Sequence, residues 1–430
     1  MAIVEKQTKL TGRLESIVGR ENIDESSSLL IDEIRPLMIV KPGSPEEVAE
    51  CLKVCAETNA AVVPAGFATW LECGNPRKRV DVVMSLERMN RIIDYSAPDL
   101  TAIVESGIAL NDFNEVVTGE RQWLPLDPPG ANRATLGAVV ACASVGPLRF
   151  GFGKPRDYVI GLRLAHSDGT ESRSGGKVVK NVAGYDMNKL YTGSFGTLAV
   201  ITELIVKLRP LPDKSSTVRV TSQDVNLLRK LASSILSSNL LPASVFLTKG
   251  IFPDSLESSD RQLSLAVRFI ESEPTVNYQV ETVLKMIENR VSAEVLNDSD
   301  AEKFWTRVSN VDETSRVAIR MSVPLSLAQS GFEKLSGEES RSLIAADFAT
   351  GIIRAAFDLD DGQAVEKIKR LRLESASLGG TLVVERASVS VKKEADAWGD
   401  AGPTVELMKS IKAKFDPQAL LNPGMFVAGI

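Results

Sequence analysis

The 430-residue sequence contains a single histidine, His166, and that scarcity excludes more than any other feature of the composition. A Ser-His-Asp triad has only this one imidazole to use. A zinc site with two histidines, an HExxH helix and a histidine metal pair beside a hydroxy-acid substrate are all impossible. Cysteine is also sparse: there are four, and only Cys51 and Cys55 lie close in sequence. They share a helical stripe with Val48, Leu52 and Ala56, so they read as small buried residues, and no metal-ligand spacing occurs. No stretch reaches the ~20 apolar residues of a membrane span, and the first residues lack the basic-then-apolar order of a secretory signal. Nor is there a basic excess. The formal net charge is −6, which argues against non-specific nucleic-acid binding. A cytoplasmic protein is expected, or one held peripherally at the inner membrane through partners.

The length suggests two or three domains. Residues near 9–24 read as a short helix and Leu37-Met38-Ile39-Val40 as a strand. Ser44-Pro45-Glu46-Glu47 opens a helix by a capping hydroxyl, a first-turn proline and acids at the positive dipole end. It runs to about Asn59, and the strand Ala61-Val62-Val63-Pro64 then feeds a loop containing Gly66. This strand–helix–strand unit ends in a turn where a phosphate could sit. Strands follow at 80–84 and 101–105, and a short helix at 111–117. From about 213 to 395, strand-like runs such as Val317 to Ser322 alternate with amphipathic helices such as Leu227 to Ser238, an α+β texture. A last segment from about 396 carries a helix near Val405 to Lys414.

Between them, residues 124–210 are dense in glycine and poor in helical periodicity. Asp127-Pro128-Pro129-Gly130, Thr135-Leu136-Gly137-Ala138, Ala141 to Gly146 and Gly175-Gly176-Lys177 with Lys180-Asn181 permit close backbone approach. An extended cofactor with phosphates needs that, and so does a turn-rich β region with no ligand.

Several of these segments resemble the flavin-binding region of the vanillyl-alcohol-oxidase superfamily, of p-cresol-methylhydroxylase (PCMH) type: Trp123 to Pro129, Thr135 to Ala138, Gly146-Pro147-Leu148-Arg149 and Gly153 to Gly161. The runs Gly175 to Asp186 and Gly193 to Glu203 are similar to GlcE, the FAD-binding subunit of glycolate oxidases. Phe415-Asp416-Pro417 with Leu421-Asn422-Pro423-Gly424 resembles the superfamily's C-terminus. The resemblance implies a PCMH-type FAD-binding domain of two α+β subdomains, residues 1–212 with the tail 396–430. A second α+β substrate or cap domain would span 213–395.

The resemblance also assigns sites. Pro64, Ala65, Gly66, Phe67, Ala68 and Thr69 occupy the position of the pyrophosphate loop, with Phe67 and Ala68 where glycine is usual. Asp127, Pro128, Thr135 and Ser144 fall near the isoalloxazine, and Val200 and Ile201 contact it through backbone groups. Gly137, Ala138, Ala141, Gly146, Arg149 and Gly151 complete the expected cofactor set. Attachment is expected to be non-covalent, because relatives that tether FAD commonly use a histidine in the pyrophosphate loop. Cys142 is the one nearby thiol and reads as a small buried residue. His166, at a strand end without an evident carboxylate partner, reads as structural rather than as a base. Hydroxy-acid oxidation needs a cation for the carboxylate, and Arg320 resembles a substrate-domain arginine, with Arg149 and Lys180 weaker candidates. A strand arginine can equally be satisfied by a neighbouring acid, and the sequence leaves both open.

Three readings follow. The first is a glycolate-oxidase subunit acting on a small 2-hydroxy acid, or relaying its electrons, with a second flavin subunit and an iron–sulfur subunit. The others are an independent FAD-linked oxidase or dehydrogenase of another alcohol or acid, and a flavin-free scaffold.

Overall fold

A computed structural model describes residues 2–177, 185–251, 263–287, 291–311, 315–337 and 342–430. Lys180, Asn181 and the rest of 178–184 in the run Gly175 to Asp186 therefore lie outside the described residues. The chain forms two compact units: Met1–Ser144 with Lys154–Leu211 and Asp400–Ile430, and Val145–Gly153 with Pro212–Gly399.

The first unit begins as the sequence implies. Strand Met38–Val40 leads into helix Pro45–Thr58, where Ser44 Oγ accepts from the Glu47 amide at 3.2 Å. Val48, Cys51, Leu52 and Cys55 bury one helical face, and Asn59 in the left-handed region ends the helix. Strands Met38–Val40 and Val62–Ala65 both pair in parallel with Val82–Ser85, and Ile23–Asp24 adds an antiparallel edge. Val62–Ala65 lies in the core with helices to cover it, as an apolar parallel strand must. A second sheet of five antiparallel strands runs Ile92–Ser96, Thr101–Glu105, Val200–Lys207, Val159–Ala165, Glu171–Gly175.

The second unit is built on eight antiparallel strands ordered Ser292–Leu296, Lys214–Ser222, Leu263–Glu271, Ser244–Lys249, Ser342–Asp347, Ile352–Phe357, Val317–Ser322, Thr381–Arg386. Alternation along the strands assigns two faces. Leu247, Leu265 and Val267 pack in one core with helices Val225–Leu236, Glu273–Ile287, Ala328–Ser336 and Asp361–Ser377. Phe246, Ala266 and Ala345 point the other way, against Phe304, Trp305 and Val308 of helix Asp298–Ser309. The α+β architecture expected from the sequence is present in both units. Segment 145–153 belongs to the second: the Gly151 amide donates to Ala243 O at 3.1 Å, and Ser244 Oγ to Pro147 O at 2.7 Å. Among the described residues no helix is long and apolar enough to cross a membrane.

Candidate functional site

A cavity opens in the first unit at the end of strand Val62–Ala65. Pro64, Ala65, Gly66, Ala68 and Thr69 form one wall, and Thr135, Gly137, Ala138 and Ala141 another. Ala199, Val200 and Ile201 close it at the start of strand Val200–Lys207. Thr135 caps the short helix Leu136–Ala141, its Oγ1 accepting from the Ala138 amide at 3.3 Å.

Glycine is required where these walls meet. A Cβ on Gly66 would lie 2.6 Å from Thr135 Cγ2, and one on Gly137 would lie 2.7 Å from Ser106 Cβ, both closer than side-chain carbons come. Ala68 has φ +61°, a conformation glycine adopts freely and alanine does not. The glycine-like backbone thus persists at a position where the residue is alanine. Among the described residues, no group accepts a hydrogen bond from the Phe67 or Ala68 amide.

Two polar residues that the sequence did not single out stand in the wall. Ser106 is buried, and its hydroxyl has no hydrogen-bond partner among the described residues. Arg77, also in the wall, is only 4% exposed. Its Nη1 meets Asp32 Oδ2 at 2.8 Å and Leu71 O at 2.9 Å, and its Nε donates to Asn422 Oδ1 at 2.9 Å. Asn422 in turn donates to Phe195 O at 2.9 Å. The tail bearing Asn422 is pinned by buried Lys412, whose ammonium contacts Asp416 at 2.6 Å, Thr197 O at 2.8 Å and Leu421 O at 2.9 Å. Burial holds the Lys412 ammonium below its ordinary pKa, against the opposing pull of Asp416. Neither Arg77 nor Ser106 sits in a distinctive motif. The quoted Asn422 was the one signal that the tail returns to this wall.

The other expected residues lie elsewhere. Phe67 lines a neighbouring cleft, together with Ala65, Gly66 and Ala68 of the same loop, and not this cavity. Asp127, Pro128 and Ser144 do not line the cavity. Gly146 and Arg149 line a separate cavity in the second unit, and Gly151 packs against Ala243, where a Cβ would come 2.7 Å from Ala243 Cα. Arg320 is ion-paired, Nε to Glu385 Oε1 at 2.8 Å, the second of the two alternatives left open.

Cys142 does line the cavity, and burial pushes its thiol pKa up, so it is a neutral thiol there. His166 hydrogen-bonds Ser172 Oγ at 2.7 Å and stacks on Phe415 with ring centroids 6.0 Å apart. Burial lowers its pKa, which keeps the imidazole neutral.

Residues 36–175 match the family described as FAD binding domain, and residues 344–426 match the FAD linked oxidases, C-terminal domain. The chain is an FAD-linked oxidoreductase. The oxidoreductase is 26% identical to glycolate oxidase subunit GlcD of Bacillus subtilis, over 97% of this chain and 96% of that one. The subunit named in that relative is GlcD, not the GlcE of the sequence resemblance. A D-lactate dehydrogenase of Anaerostipes hadrus is 25% identical, over 94% and 92% of the two chains. Among solved structures, p-cresol methylhydroxylase superposes with a TM-score of 0.75 at 15% identity, over 98% of this chain and 96% of that one. The oxidoreductase thus has the PCMH-type fold.

The cavity fits FAD. Small residues let a cofactor backbone approach, and the buried Ser106 hydroxyl, without a partner among the described residues, stands in its wall.

Proposed function

We propose that the oxidoreductase is a subunit of a glycolate-oxidase-type complex that oxidises a small 2-hydroxy acid, or relays its electrons, through non-covalent FAD. The observation that carries this reading is the cavity walled by Gly66, Ser106 and Thr135, in a chain similar over nearly its whole length to a glycolate oxidase subunit. In this reading the first unit, residues 1–144, 154–211 and 400–430, serves as the FAD domain, and the second, residues 145–153 and 212–399, as the substrate domain.

The loop Pro64 to Thr69 would hold the pyrophosphate through the backbone amides of its non-proline residues, Ala65, Gly66, Phe67, Ala68 and Thr69, and the Ser106 hydroxyl, which has no partner among the described residues, would be free to donate to the cofactor. Arg77, ion-paired with buried Asp32 and hydrogen-bonded to Asn422, fixes this part of the wall to the C-terminal tail. Gly137, Ala138, Ala141 and Ala199 leave room for a flat ring and, being apolar, exclude water from it. Bound FAD supplies the two-electron acceptor. Attachment is non-covalent in this reading because residues 64–69 hold no histidine and the Cys142 thiol, kept neutral by burial, is a poor nucleophile.

The lone histidine favours a GlcE-like relay role, alongside a second flavin subunit and an iron–sulfur subunit, with any membrane association made through those partners. His166 is held between Ser172 and Phe415 and has the geometry of a structural residue. Affinity purification from native cells tests this. Co-purification of an iron–sulfur protein and a second flavoprotein is expected, and a chain that comes out alone contradicts it.

A second reading, an independent FAD-linked dehydrogenase, is favoured by the D-lactate dehydrogenase similar over almost the whole chain. Turnover of a 2-hydroxy acid by the isolated chain with a dye acceptor separates the two.

A further inference from the structure

The parallel sheet of the first unit has two unlike faces. Val40, Val82 and Met84 point to one, where helix Pro45–Thr58 covers them. Ile39 and Val83, side by side in register, point to the other, and alternation puts Ser85 with them. Leu29, Ile31, Ile34 and Leu71 pack on that second face. Beside them opens a cleft of about 490 Å3, within the roughly 300–1,000 Å3 of small-molecule sites. Leu29, Ile39, Leu71 and Val83 give it an apolar floor. Phe67 lines it too, with 37% of its surface exposed.

Four charged side chains reach the cleft: Asp24, Lys41, Glu87 and Arg133. Lys41 Nζ meets Glu87 Oε1 at 2.6 Å, and Glu87 Oε2 accepts from Ser85 Oγ at 3.3 Å. Asp24 accepts from the Ser26 hydroxyl and amide, both at 2.8 Å. Those two bonds, with a smaller contribution from Lys41, hold its carboxyl below the usual carboxylate range. Arg133 stands apart from this group. Its carbonyl accepts from Thr69 Oγ1 at 3.0 Å, which holds it next to the loop that carries Phe67. Its guanidinium has no acceptor among the described residues.

An apolar floor, an exposed aromatic ring and an unsatisfied guanidinium suit a ligand with a flat apolar body and a negative charge at one end. Asp24 and Glu87 in the same lining repel a second charge, so a carboxylate fits better than a phosphate dianion.

We propose that this cleft binds an aromatic carboxylate, its ring laid over Ile39 and Val83 against Phe67 and its carboxylate met by Arg133. Cleft and flavin cavity share Ala65, Gly66 and Ala68 as a wall, but Ile39, Phe67, Val83 and Arg133 line the cleft alone. The inference therefore goes beyond the proposed function and does not rest on it.

Equilibrium dialysis of the purified full chain against 2-naphthoate, with FAD in excess, tests it. One equivalent is expected to bind. Arg133→Gln, at an exposed position, should weaken binding roughly three- to tenfold, and Phe67→Leu should weaken it as well. The neutral alcohol 2-naphthylmethanol has the same ring without the charge. It should bind more weakly than 2-naphthoate, and equally to wild type and Arg133→Gln. Absence of 2-naphthoate binding, unchanged binding in either variant, or equal binding of acid and alcohol overturns the proposal. Displacement of flavin by 2-naphthoate would assign the ring to the flavin cavity and overturns it too. Flavin content measured on the same samples keeps the two ideas apart. A colourless chain with Arg133-dependent binding removes the flavin reading alone, whereas a yellow chain without it removes this one alone.

Discussion

Arg77 Nε donates to Asn422 Oδ1 at 2.9 Å, joining the loop after the candidate pyrophosphate segment to a tail 345 residues further on. The same guanidinium neutralises Asp32, whose side chain is 3% exposed. Arg77→Met strands that carboxylate. Removing one partner of a buried ion pair typically costs ~3–5 kcal/mol. The double variant Arg77→Met, Asp32→Asn should recover most of that stability without recovering flavin content. Thermal unfolding and the flavin-to-protein ratio check the two parts separately.

Gly66 carries the tightest approach in the cavity. In Gly66→Ala the new methyl group meets the Thr135 side chain, and Thr135 cannot retreat without surrendering its cap on helix Leu136–Ala141. Flavin retention is expected to fall roughly tenfold or more, with a loss of about 1–3 kcal/mol of stability from the overpacking. Gel filtration followed by visible absorbance measures the first and denaturant unfolding the second.

Much of this site could be read from the chain. The helix Pro45–Thr58 announced itself through Ser44, Pro45 and the acids behind them, and Gly66, Thr135, Gly137 and Ala141 were placed by motif. What could not be read is non-local. Arg77 and Ser106 belong to no motif, and their place in the wall depends on Asn422, Asp32 and Gly137 arriving from elsewhere. Gly146, Arg149 and Gly151 follow the flavin-like block directly, yet hydrogen bonds to Ala243 and from Ser244 draw that segment into the second unit. The strands Ser342–Asp347 and Ile352–Phe357 were also missed. Their pairing across a tight turn at Gly351 is decided by the sheet around them, and local propensity alone is a weak guide to strands.

Ala68 holds a left-handed backbone that costs a non-glycine residue about 1–2 kcal/mol. Ala68→Gly relieves that strain but gives the unfolded chain more freedom, which takes back roughly 0.4–1 kcal/mol. The expected outcome is a small net gain in stability with flavin retained at least as well as in the wild type. Denaturant titrations of the two proteins test it, and a loss of flavin in the variant contradicts the placement of the loop.

Asp347 makes stability depend on pH. Burial raises its folded-state pKa to about 6, above an unfolded value near ~3.9, so the folded chain binds this proton more tightly. The resulting stability is fully present below about pH 4 and is lost as pH rises through about 6, a change of roughly 2–3 kcal/mol. Asp347→Asn has no such proton to lose. The difference in unfolding free energy between variant and wild type should therefore grow in the variant's favour from pH 4 to pH 7. A difference that stays flat across that window contradicts the assignment.

The central claim is that FAD sits without a covalent bond in the cavity walled by Gly66, Ser106 and Thr135. The visible spectrum of the purified chain, taken before and after heat denaturation and filtration, tests it most directly. A flavin spectrum that passes into the filtrate, and is reduced or absent in Gly66→Ala, is the predicted result. Colour that stays on the denatured protein would point to Cys142 and contradict non-covalent attachment, and a chain that remains colourless with added FAD would contradict the site itself.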